Sequence, residues 1–232
     1  MVLFGGLVGG DPPYSDTWLW NGAEWTQKLS TIYPSPRYCH AMAYDTALKQ
    51  VVLFGGMVNY TPNNETWVWN GEWCQKPSTI DPGGRCRHAM AYDETLKQLV
   101  LYGGVLGNNK LMTDTWVRVG TEWTLKTPAN NNPACTNPRM VYDAALKQVV
   151  LFGQNGGDNG VCKPFRGPWV WDGQNWIEKN LDYIHPAGLF GYSVAYDEAN
   201  NQVVLFGGIV PGAKDPYHHI VPNMFVWGVS PK

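Results

Sequence analysis

The hexapeptide Val51-Val52-Leu53-Phe54-Gly55-Gly56 returns along the chain, at 2–6, at 99–104 as LVLYGG, at 149–154 as VVLFGQ and at 203–208. Each of the last four copies follows a Tyr-Asp pair: Tyr44-Asp45, Tyr92-Asp93, Tyr142-Asp143 and Tyr196-Asp197, with aspartates 48, 50 and 54 residues apart. Five copies of one supersecondary unit at a period near fifty signal a repeat architecture. Such a unit buries its apolar faces only by stacking on neighbours. Whatever is specific to this protein lies where the copies differ.

The second copy shows the unit. His40-Ala41-Met42-Ala43-Tyr44 alternates small and large residues and reads as a first strand ending at Asp45. The segment 46–50 makes a turn, repeated as TALKQ, ETLKQ and AALKQ. The run 51–54 is apolar on both faces, so this second strand must be covered on both sides. Gly55-Gly56 ends it, as expected where the backbone turns sharply or a neighbour comes close. Thr66-Trp67-Val68-Trp69 is a third strand, Asn70-Gly71 a hairpin turn, and 72–76 a fourth strand. The hairpin returns at Asn21-Gly22, Val119-Gly120 and Asp172-Gly173. Four antiparallel strands in sequence, repeated radially, describe a β-propeller blade.

With its apolar run ending in a glycine doublet, its aromatic third strand and its Glu-Trp or Asn-Trp in the fourth, the chain resembles the Kelch-repeat β-propellers, including the repeats of the galactose-oxidase central domain. The period fits kelch better than WD40, and no Gly-His…Trp-Asp signature is present. The expectation is an all-β, five-bladed kelch-type propeller with four-stranded antiparallel blades, the first and last incomplete. It forms a single domain over 1–232, with blades near 1–36, 37–84, 85–134, 135–187 and 188–232. Blade 1 shows no first strand and blade 5 no fourth. Three readings follow: five blades with two thin ones, part of a larger propeller, or a homo-oligomer joined through the incomplete blades. Gln154 replaces the second glycine of copy four, so that loop should leave its sheet differently.

Net charge is −2 with 16% charged residues, which excludes a polybasic footprint for nucleic acid or an anionic membrane. No apolar stretch approaches the roughly 18 residues that span a bilayer. The amino terminus opens inside a strand and reads as no signal peptide. Cys39, Cys74, Cys86, Cys135 and Cys162 show no C-x-x-C pair and read as free thiols. The compartment stays open.

All twelve tryptophans fall in third or fourth strands and read as blade-packing residues. Antiparallel order then sends the long, dissimilar loops to one face: second-to-third connections at 7–16, 57–65, 105–114, 154–167 and 209–223, and blade-to-blade connections at 29–39, 77–87, 127–139 and 180–191. Loops on a rigid scaffold carry function, so this is the candidate binding face. Arg37 and His40 precede the first strand of blade 2, and Arg85, Arg87 and His88 that of blade 3. Arg139 lies just inside blade 4, and Tyr192 holds the histidine position of blade 5. The resemblance implies a ring of arginines offered to acidic motifs, since the guanidinium fork suits carboxylates; the plainer reading ties them to neighbouring carbonyls. Tyr60, Arg166, Tyr183, Tyr217 and His218 are loop residues peculiar to single copies.

His218 and His219 point to opposite sides of an extended chain and do not chelate together. No cofactor or metal is expected, and no nucleophile elbow, His-Glu-x-x-His or phosphate loop is present. The recurring Asp45, Asp93, Asp143 and Asp197 read as turn starters. The expected function is a non-catalytic recognition module binding a protein segment or glycan on the long-loop face. Two alternatives stand beside it: an enzyme at the channel mouth (hydrolase, epimerase or metal-dependent oxidase), and a structural repeat scaffold without ligand. Arg85→Ala is expected to weaken binding with little effect on melting, and Trp69→Ala to unfold the protein.

Overall fold

The apolar runs that dominate the sequence become the second strands of five antiparallel sheets. This computed structural model describes residues 1–9, 11–129, 133, 135–155, 168–179, 191–210, 219–220 and 224–227. The chain is an all-β, five-bladed propeller, with no helix among the described residues. Blade 1 pairs Val2–Gly6, Tyr14–Trp20 and Trp25–Lys28. Blade 2 orders Ala41–Asp45, Gln50–Phe54, Thr66–Trp69 and Trp73–Gln75. Blade 3 orders Ala89–Asp93, Gln98–Val105, Leu111–Val119 and Glu122–Lys126. Blade 4 orders Cys135–Asp143, Gln148–Asn155, Trp169–Trp171 and Trp176–Glu178. Blade 5 has Ser193–Asp197, Gln202–Phe206 and Met224–Trp227. Among the described residues the first and last blades are thus three-stranded, as expected.

Strand alternation explains why the second strands are apolar on both faces. Val52 and Phe54 pack towards blade 3 against Met90, Leu99, Leu101 and Trp123. Leu53 points the other way, into a cluster with Phe4, Trp67, Trp69 and Trp73. Blades 3 and 4 meet through Val100, Tyr102, Val149 and Leu151, and blades 4 and 5 through Val150, Phe152, Val203 and Leu205.

A polar clasp repeats at these interfaces. The indole Nε1–H of Trp73 donates to Thr17 Oγ1 of the preceding blade at 2.8 Å. Trp123 donates likewise to Thr66 at 3.0 Å, and Trp176 to Thr115 at 2.8 Å. These three buried indole N–H groups therefore keep a partner, whereas that of buried Trp171 has none among the described residues.

The glycine doublets are required by backbone contact. Gly55 has φ +66°, and a Cβ there would lie 2.6 Å from the Arg85 carbonyl oxygen. The Gly56 N–H donates to that same oxygen at 2.9 Å, and the Gly6 N–H does so to Arg37 O. Only a residue without Cβ lets the loop entering one blade approach the previous blade this closely. In blade 4 the second strand runs on through Gln154, pairing Thr136 with Gln154 and Cys135 with Asn155, while the connection that follows, 156–167, lies outside the described residues. Blade 3 also departs from expectation: its second and third strands extend to Val105 and from Leu111, which shortens the loop between them.

The aspartates start turns. Asp45 Oδ1 accepts from the Leu48 N–H, Asp93 Oδ1 from Thr95 and Leu96, and Asp143 Oδ1 from Ala145 and Leu146.

The outward faces of the two end blades are not covered among the described residues. Leu3 is 45% exposed where Leu53, Leu101 and Leu151 are 0% exposed, and Phe206 is 60% exposed where Phe54 is 0%.

Candidate functional site

The segment entering each blade carries the candidate residues, and the structure separates them into two kinds. Arg37 and Arg85 belong to the interior. Arg37 is fully buried; it donates to Gly55 O at 3.0 Å and to Glu65 Oε2 at 2.5 Å. Arg85 is equally buried; it donates to Gly103 O at 2.8 Å, forks onto both Asp114 oxygens at 2.8 and 3.0 Å, and reaches the Pro82 carbonyl. Glu65 and Asp114 also accept the indole N–H of Trp67 and Trp116, at 3.0 and 2.7 Å. Each arginine therefore staples its entry loop to the base of its own blade. Burial pushes the Glu65 carboxyl up, but hydrogen bonds from Arg37 and Trp67 outweigh it and hold the group below the usual range. Arg37 itself is pulled down by burial against the pull of Glu65. Placing these two arginines on a ligand-facing ring is corrected by this geometry, because all their reach is spent inside the blade.

Tyr192 is likewise interior. It is 3% exposed within the cluster joining blades 4 and 5, its carbonyl accepts Arg139 Nε at 3.1 Å, and burial pushes its hydroxyl up. His88 is buried edge-on to Phe54, ring centroids 5.6 Å apart, and His40 stands edge-on to Phe4 at 5.8 Å. Burial, reinforced by Arg85 and His40, pulls His88 down to about 3. Burial and Arg37 pull His40 down to about 4. Both imidazoles are neutral at physiological pH and act as wedges between blades. Arg166, Tyr183, Tyr217 and His218 lie outside the described residues, as does Cys162. Cys39, Cys74, Cys86 and Cys135 are free thiols.

The remaining residues converge. Arg87, Arg139, Cys39, His40 and His88 line a depression of about 420 Å³, whose floor is made by Met42, Met90 and Met140. These methionines hold one register in successive blades, opposite Leu53, Leu101 and Leu151. Beside it, a second hollow of about 190 Å³ is lined by Tyr38, Cys39, Tyr60, Cys86, Arg87 and Asn109 among others. Arg87 and Cys39 belong to both hollows. Tyr60 stands 87% exposed at the tip of a two-residue turn, with Asn59 and Tyr60 both at positive φ, between Met57–Val58 and Thr61–Pro62.

Arg87 is exposed at φ +56°, and among the described residues it makes no ion pair; its backbone N–H donates to Cys39 O at 2.9 Å. No aspartate or glutamate lines either hollow. The larger hollow thus brings together two arginines and three methionines without a carboxylate; of the arginines, Arg139 already donates to Tyr192 O at 3.1 Å and to Pro138 O at 3.0 Å. Among the described residues no cluster of three His, Cys, Asp or Glu could hold a metal ion.

Sequence reasoning missed the methionine floor and the acid partners. Both left a signal: the Met of Ala-Met-Ala-Tyr recurs, and an acid stands two residues before the tryptophan at Asp16, Glu65 and Asp114. It also passed over Arg118, which takes the place of a third-strand tryptophan. This side chain is 3% exposed, and among the described residues its guanidinium makes no hydrogen bond. No protein-family model matches the chain, and the comparison with curated proteins gives no match.

Proposed function

We propose that this propeller is of the Kelch type and serves as a non-catalytic recognition module, seating an acidic side chain of a protein segment in the methionine-floored hollow of its long-loop face. The observation that carries the reading is Arg87: exposed, free of any ion pair among the described residues, and shared by two hollows that contain no acid. A carboxylate forked by Arg87 would gain a charge-assisted bond, while the methionines adapt to the apolar part of the residue. Tyr60 at the rim supplies an exposed aromatic anchor.

The experiment is a peptide array in which glutamate or aspartate is flanked by apolar residues, read against the intact chain and against Arg87→Ala. Alanine leaves the residue at its left-handed φ and removes no bond that the Arg87 side chain makes among the described residues. Melting is therefore expected within about 2 °C of the parent, with at least tenfold weaker binding of the selected peptides. Equal binding by Arg87→Ala, or selection of neutral glycans over acidic peptides, overturns the proposal.

A further inference from the structure

Two cysteines line one hollow. Cys39 is exposed and Cys86 is buried, and both border the space of about 190 Å³ that Tyr38, Met57 and Arg87 also line. They stand 47 residues apart in sequence, at the entrances of blades 2 and 3. The repeat does not pair them, because they hold different places in their blades. Cys39 takes the left-handed position, φ +55°, that Arg87 takes in blade 3 at +56° and Asn137 in blade 4 at +47°. Cys86 takes the place of Tyr38: it bridges Val105 as Tyr38 bridges Met57.

Backbone geometry brings them together. The Arg87 N–H donates to the Cys39 carbonyl at 2.9 Å. In a trans peptide that N–H lies on the same side as the Cα of the preceding residue, Cys86. This one bond therefore sets the Cα atoms of Cys39 and Cys86 within about 7 Å of each other. A disulfide spans about 4.4–6.8 Å between Cα atoms. Both side chains border the same hollow, so rotation about χ1 within it is the motion that closure needs.

The surroundings set the order of events. Burial pushes the Cys86 thiol up and Cys39 adds to this, while the Arg87 charge pulls it down. Cys86 is thus protonated and shielded, and Cys39 is the thiol that a reagent meets first. Cys135, 1% exposed and pushed up to about 12, is closed to the same reagent.

We infer that Cys39 and Cys86 form a redox site, which reacts at Cys39 with a small disulfide of the glutathione class and closes to an internal disulfide between blades 2 and 3. The Cys39 thiolate attacks one sulfur of the reagent, giving a mixed disulfide and releasing one thiolate. Cys86 gives its proton to that thiolate, attacks the Cys39 sulfur and expels the second thiolate. The second thiolate takes from solvent the proton that Cys39 had lost. Two protein thiols are oxidised, and one disulfide is reduced to two thiols. Cys39 and Arg87 belong to both hollows, so the bond fixes the boundary that the hollows share.

The probe is oxidised glutathione, added to the intact, fully reduced chain at mildly alkaline pH. The expected product is two hydrogens lighter. After alkylation of the remaining thiols, tryptic digestion should join residues 38–49 to residues 86–87, and dithiothreitol should release them. The bond ties the chain into a long loop, so Tm should rise by about 5 °C or more. Cys86→Ala should stop at the mixed disulfide, one glutathione heavier at Cys39. Cys39→Ser should leave Cys86 unmodified over the same time. Mapping the parent chain needs no variant, and the bond is detected by mass whether or not an acidic peptide binds at Arg87, so the two proposals fail separately. Absence of the 38–49/86–87 species, or linkage of either cysteine to Cys74 instead, overturns the inference. So does a mixed disulfide that persists at Cys39 in the parent, or a disulfide that joins two chains.

Discussion

Replacing Thr66 by valine tests the clasp that joins successive blades. Thr66 and Trp123 are each 3% exposed and meet at 3.0 Å across the interface of blades 2 and 3. Valine keeps the threonine shape but puts a methyl group where the hydroxyl accepted, leaving the indole N–H buried and unpaired. That costs about 1–3 kcal/mol. For a chain of this length each kcal/mol moves Tm by about 2–4 °C, so Thr66→Val should melt roughly 2–12 °C lower. Trp123→Phe removes the donor and leaves a gap, costing less than the about 3–5 kcal/mol of truncation to alanine. With phenylalanine at 123 there is no N–H to strand, so adding Thr66→Val should cost little, and the coupling between the two changes should approach the same about 1–3 kcal/mol. Calorimetry on the four proteins, with urea slopes to verify that the unfolded state is unchanged, measures this directly. Should Thr66→Val melt within about 1 °C of the parent, or the two changes simply add, blade stacking would rest on apolar burial alone.

Arg85→Ala should destabilise by about 3–5 kcal/mol, towards the lower end because the Asp114 side chain is 19% exposed, since it strands that carboxylate and the Gly103 carbonyl; a melt near the parent value would return Arg85 to the surface reading. Stability should fall as pH drops below about 6.5, where the unfolded chain protonates histidine while buried His88, pulled down to about 3, stays neutral. The loss is at most about 1.4 kcal/mol per pH unit from His88, ends near pH 3, and is absent above about 6.5. Tm measured against pH should flatten in His88→Phe, and an unchanged slope would place the titration elsewhere. Arg118→Trp, which restores the residue found at Trp69 and Trp171, should raise stability by about 1–2 kcal/mol. A lower Tm would mean that the guanidinium, whose burial is opposed by the nearby Asp45 charge, already has adequate compensation.

The repeat by itself determines the architecture, because each of its signals is local. Residues 51–54 can be apolar on both faces only inside a stack of sheets, and Asp45 begins its turn through bonds to backbone three residues on. Gly55 and Gly56 could be read as a close approach, though not as an approach to Arg85 O, which lies thirty residues away in sequence. The candidate face was legible too, since strand parity alone sends the long loops to one side. Which arginines look outward was not. Arg37, Arg85 and Arg87 share a residue type and lie in blade-entry segments, yet two of them meet Glu65 and Asp114 while the third, two residues nearer its strand, meets solvent. That choice depends on an acid some thirty residues distant, and on a left-handed φ at Arg87 that turns its side chain from the blade. The sequence by itself thus determined the blades, their order and their turns; only the packing of one blade entrance against its own third strand decided which charges are buried inside a blade and which face solvent.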